Sequence, residues 1–277
     1  MIGGLQSRLA LEPAGGDRFV GHAADVPGWV YGGEVAAQSV SAANATIDGD
    51  RSLHSLQASY LRRGHPAVPI DYEVARLREG RSFSTRQVVA TQEGRTIFTA
   101  LMGYHVAEQG FEHQDAMPQV PRPEDLPTIV EANDSEGKGW STWTTQHPDI
   151  ELRPVAPDVD DPQGRRQFWF RYAFDDDLDA RRQSVYAVYA SDFTMISSIR
   201  LPHEPRHRKT YFMSTLNHNF YVHRPFLATD WHLIEHFSPV ATGGRGLSMS
   251  RVFTPDGLLV ASGFQEGLAR PFVGDDS

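Results

Sequence analysis

One short stretch of the sequence matches a known metal-binding pattern. Residues 203–207 read His-Glu-Pro-Arg-His, the spacing with which zinc proteases place two histidines one helical turn apart. Pro205 lies between the two histidines and Pro202 precedes them, and proline disfavours the regular helix that this geometry requires. We therefore interpret the match as accidental, which argues against a metalloprotease, and we expect the protein to use no metal and no cofactor.

The residues for several other kinds of catalysis are missing from the sequence. It contains no cysteine, which excludes disulfides, thiolate catalysis and cysteine-held zinc. Neither the Gly-x-Ser-x-Gly pattern of serine hydrolases nor the glycine-rich loops that bind nucleotide phosphates occur. These local patterns therefore assign no reaction to the protein. Evidence for its function comes from the organisation of the whole chain.

The composition is that of an ordinary globular protein. Of the 277 residues, 40% are hydrophobic and 22% are charged. No apolar run approaches the roughly 20 residues that span a bilayer, so we expect no membrane insertion. The formal net charge of −9 argues against nucleic-acid binding, which depends on neutralising phosphates. The start of the sequence predicts no secretory signal, so we expect a cytoplasmic protein; whether it forms a homo-oligomer stays open.

The two halves of the chain resemble each other. Ser55-Leu56 matches Thr215-Leu216, the Gly-Arg stretch that begins at Gly80 matches the one at Gly244, and the Glu-Gly turn at Gly94 matches the Asp-Gly turn at Gly257. These matches lie at offsets of 160, 164 and 163 residues. Three matches at nearly one offset indicate a tandem repeat of one domain-sized unit.

Each repeat combines one helix of small residues with several strands. A helix is predicted over 34–47, which is dense in alanine and serine, and another from about Asp192. Strands are predicted over 71–76, 82–91 and 96–105 in the first repeat, and over 168–174, 213–222, 231–237, 246–253 and 258–266 in the second. This order is typical of an α+β fold in which an antiparallel sheet wraps around a helix.

A proline-rich segment separates the repeats. Eight of the 18 prolines lie between Met117 and Gly164. Because proline removes a backbone donor and restricts its predecessor, we expect a long irregular connector that packs over the surface. The predicted boundaries are an N-terminal module over 1–117, the connector over 118–164, and a C-terminal module over 165–277.

Several longer motifs resemble those of a known enzyme family. They are the stretches 31–38 (YGGEVAAQ), 77–86 (LREGRSFSTR), 110–114 (GFEHQ), 189–192 (YASD), 223–226 (HRPF) and 265–267 (QEG). Together they are similar to the bacterial acyl-CoA thioesterase II family and its peroxisomal relatives, from about Arg18 to Arg270 apart from the connector. The resemblance implies two fused hotdog modules, a double hotdog, that hydrolyse acyl-CoA to a fatty acid and free CoA.

The family site combines an Asp, a Ser or Thr and a Gln that orient a water molecule. Carried over by motif, these are Asp192, Thr215 and Gln265, all in the second repeat. A carboxylate at the start of a partly buried helix could accept the proton of the water. Asp is also a favoured helix N-cap, so simple capping is the alternative reading of Asp192. The chain departs from the usual family pattern at Glu34, Gln57 and Asn217, none of which belongs to this set.

The resemblance also suggests residues that would contact the substrate. Gly32 and Gly33 precede the first helix, whose free N–H groups would favour an oxyanion; the alternative is that these glycines only allow a tight turn or close packing. Four arginines are candidates for contacts with the CoA phosphates, although arginines near strand ends more often pair with local carboxylates: Arg62, Arg63, Arg224 and Arg245.

Two alternatives of the same fold remain. The chain could be a catalytically silent acyl-binding protein or a hotdog dehydratase. A dehydratase would usually place a His–Asp pair at the helix, so the Asp-Thr-Gln set favours the thioesterase. The partner expected in each case is an acyl-CoA molecule.

Overall fold

The repeat predicted from the sequence forms one continuous antiparallel sheet. In this computed structural model, the structure describes residues 4–24, 27–131, 147–157, 161, 164–174, 178–203 and 211–271. The strands of the described residues are β1 Glu12–Pro13, β2 Arg18–Gly21, β3 Ser52–Tyr60, β4 Ile70–Glu79, β5 Phe83–Gln92, β6 Arg95–His105, β7 Ile150–Pro154, β8 Arg166–Tyr172, β9 Tyr211–Val222, β10 His232–Thr242, β11 Arg245–Phe253 and β12 Leu259–Pro271. The helices are α1 Leu5–Leu9, α2 Gly32–Asn44 and α3 Ala180–Ser191, with 3-10 turns at Pro123–Asp125 and Ile196–His203.

The strand order shows the two repeats side by side. It is β1-β2-β4-β5-β6-β3-β9-β12-β11-β10-β8-β7, so the second half of the sheet repeats the first in reverse. The halves meet where β3 pairs antiparallel with β9, with Gln57 opposite Asn219. Each half thus covers the edge that the other would expose. The predicted fold, two antiparallel sheets joined into a double hotdog, is confirmed.

Successive side chains of the strands alternate between the buried and the more exposed face of the sheet. In β5 the side chains of Ser84, Arg86, Val88, Ala90 and Gln92 are buried, while those between them are more exposed. The turn between β5 and β6 is the predicted Glu-Gly pair, and both of its residues have positive φ angles, of 49° and 74°. Two-residue turns with positive φ at both positions match the twist of antiparallel strands, which fixes the register of this hairpin.

The helix α2 is enclosed by the sheet and by α3. Its residues 33–40, 42 and 43 are buried, which its glycine, alanine and serine side chains permit because they let neighbouring elements approach closely. At its carboxyl end the Asn44 amide donates to the carbonyl of Arg181 at 2.9 Å, in the first turn of α3. The two helices therefore lie antiparallel, with each end of one beside the opposite end of the other.

The expected position of the second helix was wrong. The helix α3 ends at Asp192 and does not begin there. Its N-cap is Asp179, whose carboxylate accepts a hydrogen bond from the N–H of Arg182 at 2.8 Å. The capping reading applied to Asp192 therefore belongs to Asp179. Asp192 is the C-cap, and two residues later Thr194 turns the chain away from the helix with φ of +53°.

The segment 118–164 contains regular structure that the sequence analysis missed. The strand β7, Ile150–Pro154, lies inside it and pairs antiparallel with β8. The alternating residues Ile150 and Leu152 are buried there, and this short signal was hidden by the surrounding prolines. The start of the segment does pack as an irregular strap over the sheet, where the Trp169 indole donates to the carbonyl of Pro121 at 2.9 Å. The domain boundaries themselves stay a prediction.

No helix among the described residues is long and apolar enough to cross a membrane.

Separate expression of the two halves should expose the interface between them. Residues 1–117 and residues 118–277 alone would each leave one edge of β3 or β9 unpaired and one face of α2 or α3 uncovered. We expect each half to aggregate or to self-associate through this edge, as measured by light scattering after size-exclusion chromatography. A soluble, monomeric half that unfolds cooperatively in urea would contradict the prediction.

Candidate active site

Asp192 lies where the two repeats meet. As the C-cap of α3 it faces the start of α2, and its Oδ2 accepts a hydrogen bond from the backbone N–H of Gly33 at 2.9 Å. The contact joins residues that are 159 positions apart in the chain. A carboxylate beside a helix N-terminus is favoured by the free N–H groups and by the helix dipole. The site is therefore assembled from both repeats.

Gln265 holds the other oxygen of the same carboxylate. It lies on β12, and its side chain is fully buried. Its Nε2 donates to Oδ1 of Asp192 at 2.6 Å. In the described part of the chain, its Oε1 is buried and has no hydrogen-bond partner. The amide therefore presents one satisfied donor and one unused acceptor beside the carboxylate.

The surroundings of Asp192 make its carboxylate more basic. Burial raises the pKa of Asp192 to about 6, because the charged form loses water, while the hydrogen bonds from Gln265 and Gly33 lower it. Burial is the larger effect. A carboxyl group in this state is ionised at neutral pH and accepts a proton more readily than an exposed aspartate does.

The glycines at the start of α2 are required by the closeness of the two helices. A Cβ on Gly33 would lie 2.5 Å from the ring of Tyr31 and 2.7 Å from the carbonyl of Tyr189. A Cβ on Gly32 would lie 2.9 Å from Oδ2 of Asp192. The close-packing reading of the two glycines therefore accounts for both. The N–H of Gly33 is in addition committed to Asp192.

Thr215 lies on the same face of the sheet as Gln265. It pairs with Gly267, two residues beyond Gln265 on β12, across a bulge in the ladder. Directly paired residues on neighbouring strands point to the same face, so Thr215 faces the helices as Gln265 does. Among the described residues, no hydrogen bond links Thr215 to Asp192 or to Gln265. The structure thus joins two of the three predicted residues directly and places the third close along the same strand pair.

Two of the four candidate arginines bond to the backbone of their own repeat. Arg62 donates to the carbonyl of Thr96 at 2.6 Å, and Arg224 donates to the carbonyl of Leu259 at 2.7 Å. The two contacts occupy corresponding positions after β3 and β9. Their recurrence in both repeats indicates that they hold strand ends.

The other two arginines have different surroundings. Arg245 forms an ion pair of 3.1 Å with Glu266, the local pairing that was the alternative for all four. The Arg63 guanidinium lies over two aromatic rings, 4.8 Å from that of Trp29 and 5.0 Å from that of Phe212. Trp29 is 55% exposed, so this cluster lies at the surface.

Comparison with known proteins assigns the chain to a family. The profile of the acyl-CoA thioesterase N-terminal domain matches residues 22–105, and that of the C-terminal domain matches residues 123–269. The chain belongs to the acyl-CoA thioesterase family. The protein is therefore a thioester hydrolase, as the resemblance implied.

Individual relatives match over nearly the whole chain. Acyl-coenzyme A thioesterase 8 of Homo sapiens is 33% identical over 279 residues, which cover 95% of this chain and 87% of the human protein. Acyl-CoA thioesterase 2 of Haemophilus influenzae is 36% identical over 256 residues, or 87% of each chain. The crystal structure of an acyl-CoA thioesterase II from Mycobacterium marinum superimposes with a TM-score of 0.82 at 33% identity, covering 96% of this chain and 98% of that one.

The thioesterase carries the Asp-Gln pair only once. The residues of the first repeat that correspond by helix end and strand register to Asp192, Thr215 and Gln265 are Ala45, Leu53 and Met102. The match of Ser55 with Thr215 made from the sequence was therefore wrong, because the bulges in β3 and β9 shift the correspondence of these strands to Leu53. These counterparts are apolar and are unable to hold a water molecule. The first repeat therefore contributes a helix start to the site and has no equivalent site of its own.

Two histidines near Asp192 were missed by the sequence analysis. His218 on β9 is buried and lies 2.7 Å from the hydroxyl of Ser191, and His236 on β10 is buried and lies 2.8 Å from the carbonyl of Phe193. A signal was present for His218, which alternates with the buried Phe220 on β9, whereas residues 232–236 of β10 are all buried and give His236 no such pattern. The hydrogen-bond partners of the two histidines were not predictable, because they depend on how the end of α3 packs against the sheet.

Only His203 of the His-Glu-Pro-Arg-His pattern lies among the described residues. No group of three His, Asp or Glu side chains in the described ranges could hold a metal ion. Residues 204–207 of the pattern lie outside those ranges.

The raised pKa of Asp192 predicts a pH-dependent effect on stability. Because the folded-state pKa lies above the ordinary value, the neutral form stabilises the protein fully below about pH 4, and this contribution is lost as the pH rises through about 6. The free energy of unfolding of the wild type, relative to Asp192→Asn, should fall by roughly 1 kcal/mol between about pH 5 and about pH 8.

Urea denaturation of both proteins at several pH values measures this difference. A difference that stays constant over this range would show that the carboxyl group has an ordinary pKa.

Proposed function

We propose that the protein hydrolyses acyl-CoA to a carboxylic acid and free CoA, with Asp192 as the base that activates a water molecule. The family and the names of the relatives support the substrate class. The observation that carries the mechanism is the carboxylate of Asp192 bonded to Gln265, whose Oε1 is a buried acceptor without a partner in the described chain.

The pair offers two acceptors to one water molecule. Asp192 would accept the proton that the water loses on attack, and Oε1 of Gln265 would accept its second hydrogen. This leaves the lone pair of the water oxygen directed at the thioester carbonyl. Thr215 lies on the same sheet face and would contribute its hydroxyl as a third contact to the water or to the substrate. Such positioning supplies much of the rate in hydrolytic enzymes.

The pKa of Asp192 suits this role. A base works best when its pKa is near the working pH, and burial brings this carboxyl group to about 6. Transfer of the water proton to Asp192 accompanies formation of the new C–O bond. When the tetrahedral intermediate collapses, the C–S bond breaks and Asp192 returns the proton to the departing thiolate. A free thiol has a pKa of about 8.5, so this last transfer is downhill.

The start of α2 would stabilise the negative charge of the intermediate. The N–H of Gly33 is bonded to Asp192, which favours Gly33 as a support for the base rather than as an oxyanion donor. Gly32 is then the better candidate for the oxyanion donor. It lies beside the carboxylate of Asp192, and it has no side chain that would fill this space. The positive end of the helix dipole acts at the same position.

The exposed Arg63 cluster is the best placed of the candidate contacts to CoA. Arg63 follows Tyr60 closely in the chain and Trp29 precedes Gly32 closely, and the hydroxyl of Tyr60 donates to the carbonyl of Gly32 at 2.9 Å, so the cluster is joined to the start of α2. Phe212 of the cluster precedes Thr215 on β9. Arg224 follows the far end of β9, and its contact with Leu259 favours a structural role. Arg63 combines a charge for phosphate with two aromatic rings for a base.

The dehydratase alternative lacks its expected feature. In the described ranges the two histidines nearest Asp192 bond to Ser191 and to Phe193, and neither bonds to a carboxylate. A silent acyl-binding protein would not need a carboxylate with a raised pKa beside an unused acceptor. The arrangement therefore favours hydrolysis.

Replacing the base should abolish most of the activity. Asp192→Asn keeps the shape of the side chain but removes its ability to accept a proton, so kcat should fall by roughly 100-fold or more. In the wild type, kcat/KM should rise with pH through about 6 and then level off, as the carboxyl group loses its proton. Release of free thiol from a panel of acyl-CoA chain lengths measures both.

A matched control is available on the same helix. Asp179→Asn makes the same chemical change at the other end of α3, where asparagine can still cap the helix. It should leave kcat unchanged. Near-normal kcat in folded Asp192→Asn would remove Asp192 from the mechanism.

Gln265 and Thr215 should act together with Asp192. Gln265→Ala and Thr215→Ala should each lower kcat, but their effects should be much smaller in the Asp192→Asn background, because all three residues serve one water molecule. Double-mutant cycles of kcat measure this coupling. Thr99→Ala, a strand threonine of the first repeat, provides the additive reference. Fully additive losses for Gln265 would show that it acts independently of Asp192.

A further inference from the structure

The chain around Asp192 is held by two buried histidines from different strands. His218 on β9 contacts the residue before Asp192, and His236 on β10 contacts the residue after it. Both side chains are fully buried. Neither touches the carboxylate itself, and the mechanism proposed above uses neither.

The hydrogen-bond network fixes the tautomer of both rings. The only hydrogen of the Ser191 hydroxyl is donated to the carbonyl of Val188 at 2.7 Å. The hydroxyl can therefore only accept from His218, so Nε2 of His218 carries the proton. His236 contacts a carbonyl oxygen, which also only accepts, so its Nε2 is protonated as well. Each histidine is thus a donor to the segment that carries Asp192.

The second nitrogen of each ring requires the neutral form. Among the described residues, Nδ1 of His218 and Nδ1 of His236 are buried and have no hydrogen-bond partner. A proton there would be a buried donor without an acceptor, which is costly. Burial accordingly lowers the pKa of His218 to about 4 and that of His236 to about 3. Both rings therefore stay neutral donors over the physiological pH range.

The residue that follows the two contacts has a strained backbone. Thr194 has φ of +53°, a left-handed conformation that is unusual for a β-branched residue. Such a conformation persists only when surrounding contacts impose it. The bonds from His218 to Ser191 and from His236 to Phe193 flank Asp192 and precede Thr194, so they are placed to impose it.

His218 is also aligned with the residue that binds the carboxylate. His218 pairs directly with Gln265 across β9 and β12, and Gln265 donates to Asp192. A shift of residues 191–194 would therefore change the distance between Asp192 and a side chain that is fixed on the sheet. Displacements of about 1 Å at a catalytic group can cost a large part of the rate.

We propose that His218 and His236 are positioning residues, whose Nε2–H groups clamp the chain on both sides of Asp192 and so hold its carboxylate against Gln265 and Gly33. The proposal rests on the role of Asp192 in the proposed function. It predicts that both histidines affect kcat and that neither contacts the substrate.

The test compares variants that keep or lose the Nε2 donor. Glutamine places an amide nitrogen near the position of the histidine Nε2, whereas asparagine is too short and leucine has no donor. His218→Leu and His236→Leu should lower kcat by about 10-fold or more with KM changed less than about 2-fold, and should move the pH midpoint of kcat/KM away from that of the wild type. His218→Gln and His236→Gln should restore most of kcat, and the asparagine variants should not.

A buried histidine elsewhere on β10 serves as the control. His232 donates from Nδ1 to the carbonyl of Asp230 at 2.9 Å and stacks on Phe226. His232→Leu should lower the thermal stability as the other leucine variants do, while kcat and the pH midpoint stay at the wild-type values. This separates a general loss of stability from a loss of positioning.

The outcomes distinguish the clamp from the proposed function. In the Asp192→Asn background, the histidine changes should lower kcat little further, since there is no base left to position. If folded leucine variants keep the wild-type kcat and pH midpoint, or if glutamine and asparagine variants behave alike, the clamp is wrong although Asp192 remains the base. If Asp192→Asn itself keeps full activity, the proposed function fails first.

Discussion

A hydrogen bond of 2.9 Å runs from the N–H of Gly33 in the first repeat to the carboxylate of Asp192 in the second. It requires the first turn of α2 to lie against the last turn of α3, which in turn requires glycine at two consecutive positions. The antiparallel contact of these helices is possible because β3 and β9 join the two sheets into one. The site therefore exists only when both repeats are folded and joined, and neither repeat contains it alone.

The two ends of the helix pair formed by α2 and α3 differ in how their polar groups are hydrogen-bonded. At one end, Asp192 is bordered by the start of α2 and by Gln265. At the other, Asn44 bonds to the backbone of Arg181 and to the hydroxyl of Tyr104, so the polar groups satisfy one another. The fully buried Arg86 beside it bonds to both oxygens of Thr46. One end is thus closed by internal hydrogen bonds, while the other keeps groups that can bind a ligand.

The repeated fold could be predicted from the sequence more accurately than the ends of its helices and strands. Alternating strands and a constant offset identify a tandem repeat without further information, and the sheet order follows from it. The direction of α3 relative to Asp192 was misread because aspartate is favoured at helix starts, and the true N-cap, Asp179, lies in a stretch without a strong helical pattern. The hydrophobic alternation of β7 was too short to compete with its neighbouring prolines. The motif resemblance pointed to Gln265 and Asp192, but the bond between them depends on the register of β12 against β9.

Unsatisfied buried groups are concentrated around Asp192. Apart from arginine nitrogens, the buried side-chain atoms without a partner in the described ranges belong to Thr194, His218, His236, Ser250 and Gln265, all in the second repeat. Ser250 pairs with His236 and so lies in the same row of the sheet. Each such group lowers stability by about 1–3 kcal/mol unless a water molecule or a ligand pairs with it.

A fold that only needed to be stable would carry apolar residues at such positions, as the first repeat does with Met102 at the position of Gln265. Their clustering around one carboxylate is what a hydrolytic site requires, since a water molecule can be held only by polar groups that the protein leaves unpaired. The first repeat, in which Asn44, Tyr104, Arg86 and Thr46 pair with one another or with the backbone, supplies stability and the helix start that faces Asp192. The duplication therefore allows one copy to carry the destabilising groups around Asp192, because the other copy contains no such cluster among the described residues.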